Sequence, residues 1–176
     1  MEAKKMKAEN KDVEMKEEPA AKPQSEIDAL TIEDIREHIL VVEKSVISKE
    51  PRFVFRVLRQ LASTRKRLND AVLHQLIKTY ISDSYEFKSS LLGYFPVSEK
   101  KDEKTLNKSI LTETYVHLLA LISLLDSKRT NDCIPCAQAL INRVMAVSKP
   151  TMHLLGARCF FYYSRAFEMA GRLKWV

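Results

Sequence analysis

The chain has 176 residues, a hydrophobic content of 45% and a formal net charge of +6, enough for one domain with a sizeable core and a tail. Only three glycines and six prolines argue against sheets, barrels and phosphate-cradling loops, which need frequent turn residues. Residues 1–24 carry six lysines and six acids, so the basic excess lies in the folded part. An excess of that size suits an acidic partner surface or nothing specific, and does not by itself indicate nucleic acid.

Three cysteines, an odd number, and no apolar segment behind Met1-Glu2-Ala3-Lys4-Lys5 point to a reducing compartment, hence cytoplasm, nucleus or both. The longest uncharged run near the middle, Thr114 to Leu125, is shorter than the ~20 residues of a membrane span.

Residues 1–25 are rich in Lys, Glu and Ala and nearly free of large apolar side chains, so a disordered charged tail is expected. A first helix is predicted from Thr31, capped by its hydroxyl, with Ile32, Ile35, Ile39, Val42 and Val46 alternating at spacings of three and four. Ser48-Lys49-Glu50-Pro51 ends it, and Pro51 suits the first turn of the next helix. The second helix, 51–61, buries Val54, Val57, Leu58 and Leu61 and sets Arg52, Arg56 and Arg59 on another face. A third is predicted over 65–81 with Leu68, Val72, Leu73, Leu76, Ile77, Tyr80 and Ile81. A short fourth, 84–92, should stop at a left-handed Gly93. The domain plan is thus helical hairpins over 26–93, a flexible charged loop over 94–108, and further helical repeats over 109–176.

Within that last segment the fifth helix spans 109–125, the sixth 131–147, and the seventh follows Pro150 with Thr151 as its cap. Setting Thr130 against Leu173 gives a weak repeat of 43 residues, longer than the ~34 of a standard tetratricopeptide repeat (TPR) and within the ~40–47 of HEAT-type repeats. The fold expected is all-α, a solenoid of degenerate TPR-like or HEAT-like hairpins. Phe160-Phe161-Tyr162-Tyr163 face most of the seventh helix's circumference and call for a covering helix. Leu155, Phe161, Tyr162 and Met169 should extend its exposed apolar surface. Only Arg172-Leu173-Lys174-Trp175-Val176 follow Gly171, so the expectation is a chain that stops partway through its last repeat.

No catalytic constellation emerges. Cys133-Ile-Pro-Cys136 lacks the preceding strand of a redox motif and the second ligand pair of a zinc site, and Cys136 should face the core with Ala137. His38, His74, His117 and His153 share no metal-ligand spacing and stand near no nucleophile. No cofactor, metal or small-molecule substrate is predicted. The candidate contact residues are Arg52, Arg56, Arg59, Arg65, Lys66 and Arg67, six cations in sixteen residues. They could meet phosphates or an acidic subunit, or form a solvated helix face.

Asp12-Val13-Glu14-Met15-Lys16-Glu17-Glu18, Thr31-Ile32-Glu33-Asp34-Ile35, Lys49-Glu50-Pro51-Arg52-Phe53-Val54, Arg67-Leu68-Asn69, Leu125-Asp126-Ser127-Lys128-Arg129 and the segment Ala157 to Arg165 resemble, in the same order, the non-ATPase subunit 3 family of the proteasome regulatory particle lid. The resemblance implies a non-catalytic scaffold supporting ubiquitin-dependent degradation, with other lid subunits as partners. It also implies N-terminal helical repeats followed by a winged-helix module, which lies outside these 176 residues. The alternative class is a free-standing helical adaptor that binds acidic peptides or nucleic acid through its basic face, nucleic acid being the less favoured ligand.

Overall fold

The computed structural model describes residues 23–97, 109–147 and 149–172. The expected tail up to residue 22, most of the charged loop (98–108) and the final four residues with Trp175 lie outside the described residues. Among the described residues there are seven α-helices and one 3-10 turn: α1 Gln24–Ser48, α2 Arg52–Thr64, the 3-10 turn Arg65–Arg67, α3 Asp70–Tyr80, α4 Lys88–Tyr94, α5 Ile110–Asp126, α6 Thr130–Met145 and α7 Met152–Met169. No strand occurs among them, as the 3.6-residue apolar period requires, and no helix is long and apolar enough to cross a membrane.

Three boundaries differ from the sequence expectation, each for a local reason. α1 starts two turns before Thr31 because Thr31 is no cap. Its buried hydroxyl donates to the carbonyl of Ile27 at 2.8 Å inside a turn already formed. Pro23 sets the entry, and Gln24 donates to Asp28 across the first turn at 2.8 Å. The third helix is split. Leu68 is extended after the 3-10 turn, and Asn69 caps α3 by accepting from the Val72 amide at 2.8 Å. The short Asn side chain competes with the helix ladder for that donor, which is why it favours a start over an interior position. α4 begins late and runs through Gly93, which does not adopt a left-handed conformation. Lys88 is buried there, and its ammonium donates to the Ile81 carbonyl at 2.5 Å and to Asp83 at 2.7 Å. At α7 Thr151 holds the cap position, yet its hydroxyl makes no capping bond.

The core is organised around α5. Every residue from Leu111 to Leu125 is buried, the signature of a helix enclosed on all sides. α1, α3, α6 and α7 pack around it. α6 and α7 approach closely at Gly156, where an added Cβ would stand 3.1 Å from Val144 Cγ1.

Helix ends confirm the repeat register. At the end of α5 the Lys128 amide donates to Leu125 at 3.1 Å and the Arg129 amide to Leu124 at 3.0 Å. At the end of α7 the Gly171 amide donates to Glu168 at 3.0 Å and the Arg172 amide to Phe167 at 2.9 Å. Lys128 and Gly171 both adopt positive φ, 56° and 66°, so the same Schellman closure recurs 43 positions apart. On α7, Leu155 is buried rather than part of the exposed surface, because α7 packs on α2 as well as on α5 and α6. Tyr162 and Met169 are half-buried, and Phe160 and Phe161 are exposed.

Candidate interaction surface

α2 carries the basic stripe because its two faces differ sharply in chemistry. Val54, Val57, Leu58 and Leu61 are buried, while Arg52, Arg56 and Arg59 are exposed. Arg52 pairs with Glu50 at 2.8 Å and lies 5.2 Å from the Phe53 ring. Arg56 and Arg59 form no ion pair among the described residues. Arg56 lines a cleft of about 270 Å³ between α1 and α2 together with Asp34 and Glu37.

The second half of the cluster is divided. Arg65 grips the Asp126 carboxylate with two nitrogens, Nε to Oδ2 at 3.0 Å and Nη2 to Oδ1, and this hydrogen bonding raises its pKa above the ordinary value. Arg67 pairs with Asp34 on α1, while its Nε is buried without a partner. These two arginines tie the 3-10 turn to the end of α5 and to α1. Lys66 between them is exposed. The six cations therefore do not form one face: three point outward from α2, two act as internal clamps, and one lies in the turn.

The histidines do not converge. His38 sits 3.2 Å from the Tyr115 hydroxyl, and burial lowers its pKa. His74 meets the Phe95 carbonyl at 2.8 Å, and His153 is exposed. Cys136 faces the core with Ala137, both fully buried, its Sγ 3.5 Å from His117 Nε2. Burial pushes the Cys133 thiol up to about 11 and the Cys159 thiol to about 12. Burial also holds Cys136 well above its usual value. Thiols held protonated in this way are poor nucleophiles and poor metal ligands. No group of three or more His, Cys, Asp or Glu is placed to hold a metal ion among the described residues.

Sequence reasoning missed a polar cluster between α5 and α6. Arg143 of α6 pairs with Glu113 of α5, and its guanidinium carbon lies 4.0 Å from the centre of the Tyr85 ring. Glu113 also accepts from the Ser82 amide at 3.0 Å. The Tyr85 hydroxyl lies 3.3 Å from His117 Nδ1, and burial raises its pKa to about 12. His117 stacks on Phe87 at 5.8 Å, and burial depresses its pKa to about 3. Glu113 and His117 are buried while Tyr85, Phe87 and Arg143 are half-buried, so the cluster ties α5, α6 and the 82–87 segment together from its inner side. Its one sequence signal was Glu113, His117 and Cys136 on the buried faces of two adjacent helices.

A profile of the family described as "PSMD3-like, N-terminal TPR repeats" matches residues 27–176. The 26S proteasome non-ATPase regulatory subunit 3 of Dictyostelium discoideum is 32% identical over 166 residues, covering 85% of this chain and 33% of that protein. The probable 26S proteasome non-ATPase regulatory subunit 3 of Daucus carota is 31% identical, covering 92% of this chain and 36% of the relative. That of Drosophila melanogaster is 30% identical, with 94% and 36% covered. The chain spans about a third of the length of these curated relatives.

Proposed function

Because the chain belongs to the family of 26S proteasome non-ATPase regulatory subunit 3, we propose that it is a non-catalytic scaffold of the proteasome regulatory particle lid. In this reading it supports ubiquitin-dependent protein degradation in cytoplasm and nucleus and acts through contacts with other lid subunits. The observation that carries the reading is the family match across the whole helical array, residues 27–176. The architecture suits the role: the helices stack on one another around α5, and the relatives are themselves named as regulatory, non-ATPase subunits. The outward stripe of Arg52, Arg56 and Arg59 is the subunit contact in this scheme, since arginine is enriched at interface hot spots.

The test is native purification through an affinity tag on the chain at its own locus, followed by mass spectrometry. Co-migration with proteasome regulatory subunits is the expected result. A chain found only in low-mass fractions, free of any proteasome subunit, would overturn the reading.

A further inference from the structure

We propose that the groove between α2 and α7 is a docking site for about two turns of an acidic amphipathic helix supplied by a partner protein. The inference rests on the scaffold reading for the identity of the complex and on the geometry for the chemistry of the occupant. Leu154, Ala157 and Phe161 follow one another at i, i+3 and i+7 along α7. They face Phe55 and Leu58 of α2 across a groove of about 260 Å³. Three of these are large apolar side chains left in solvent: Phe55 is 54% exposed, Leu154 36% and Phe161 57%. Contiguous exposed apolar side chains on a soluble protein mark a contact surface more often than chance.

Charge selects the occupant. The rest of the lining is Arg59 from α2 and Arg158 from α7, with no carboxylate among the lining residues. Neither arginine forms an ion pair among the described residues. Arg158 instead lies 5.8 Å from the Phe161 ring, a weak arrangement that leaves its donors available. An apolar floor flanked by two unspent guanidinium groups matches a helix with Leu-type residues at i, i+3/i+4 and i+7 and Glu or Asp beside them. From Leu154 to Phe161 the floor extends about 10 Å at 1.5 Å per residue, which is two helical turns. A basic or uniformly apolar segment would leave both arginines facing like charge or desolvated without a partner.

The probe is a fluorescein-labelled 18-residue helical peptide with Leu at the seam positions and Glu on the flanks, titrated into the full chain. A second peptide carries Lys in place of Glu. The acidic peptide is expected to bind, and Arg59→Glu with Arg158→Glu is expected to weaken it at least tenfold while helicity by circular dichroism is unchanged. The same double variant is expected to gain affinity for the Lys peptide, which a merely unfolded variant cannot do. Phe161→Ser is expected to weaken both pairings. Equal binding of the two peptides by the unmodified chain overturns the proposal. So does concentration-dependent dimerisation abolished by Phe161→Ser, because the occupant would then be a second copy. Incorporation into the proteasome is scored separately and bears on the scaffold reading alone.

Discussion

Arg143 on α6 pairs with Glu113 on α5 inside the fold, with side chains only 12% and 8% exposed. Two ions taken so far out of water gain little net stability from each other, yet removing one strands the other. Glu113→Ala is therefore expected to cost about 3–5 kcal/mol, and it also orphans the Ser82 amide that Glu113 accepts from. Glu113→Leu combined with Arg143→Met should recover most of that loss. Urea unfolding of the single and double variants measures both. A double variant no more stable than the single would show that the pair itself, not the stranded charge, holds the helices together.

The three cysteines are buried and their thiols are held protonated by that burial. At pH 8 a free thiol is partly thiolate and alkylates readily. Iodoacetamide at that pH is expected to leave Cys133, Cys136 and Cys159 unmodified in the native chain and to label all three in urea, read by intact mass. Replacement by serine is not uniform in this structure. Cys136→Ser places its hydroxyl beside His117 Nε2, 3.5 Å from the present sulfur, and should be tolerated. Cys133→Ser must instead turn its hydroxyl to the Arg129 carbonyl one turn back, as Thr31 and Thr114 do on their own helices, and should cost about 1 kcal/mol. Rapid native alkylation of Cys136 would mean that α6 opens on its own.

Where the two levels agree, the reason is periodicity. The apolar stripe of α2 places Val54, Val57, Leu58 and Leu61 correctly inside, since a 3.6-residue period with one buried face leaves one solution. The 43-residue offset read between Thr130 and Leu173 is realised in the matching closures at Lys128 and Gly171. What was not legible is long-range. Thr31 reads as a cap because nothing local says that the seven residues before it are helical. Arg65 and Arg67 read as part of one basic face because Asp126 and Asp34 lie 61 and 33 positions away. The buried pair of Glu113 and Arg143 is hidden for the same reason. Even so, the uncharged run Thr114 to Leu125 could have identified α5 as enclosed on every side.

Arg52, Arg56 and Arg59 point outward while Val54, Val57 and Leu58 are buried. Reversing all three arginines to Glu should therefore leave the helical spectrum intact. The one ion pair lost, to Glu50, is exposed, and such pairs contribute about 0–1 kcal/mol. Co-purification with proteasome subunits is expected to drop at least tenfold. Arg65→Ala and Arg67→Ala serve as controls, since both side chains are engaged within the chain; each should leave co-purification unchanged and cost less than about 1 kcal/mol. Unchanged recovery of the triple reversal would assign the α2 stripe to solvent.

His117 makes stability depend on pH in a predictable direction. Its ring is fully buried against Tyr85, Phe87 and Cys136, and desolvation depresses its pKa to about 3 from 6.5. In the unfolded chain the imidazole takes up its proton near pH 6.5, whereas in the native chain it stays neutral down to about 3. Over that window the unfolded state binds more protons, so stability rises with pH. The contribution is full above pH 6.5 and is lost as pH falls, by up to about 1.4 kcal/mol per unit. His38 is lowered in the same sense, so the slope must be assigned by difference. His117→Gln keeps polar atoms near the Tyr85 hydroxyl and removes the titration. Between pH 6.5 and 4.5 the carboxylates titrate alike in both chains, and the unmodified chain is expected to lose stability more steeply than the variant by about 1 kcal/mol per unit. Urea midpoints at four pH values decide it. Parallel curves would mean that the native imidazole protonates in place, and the interior cluster would then have to be wetter than its burial indicates.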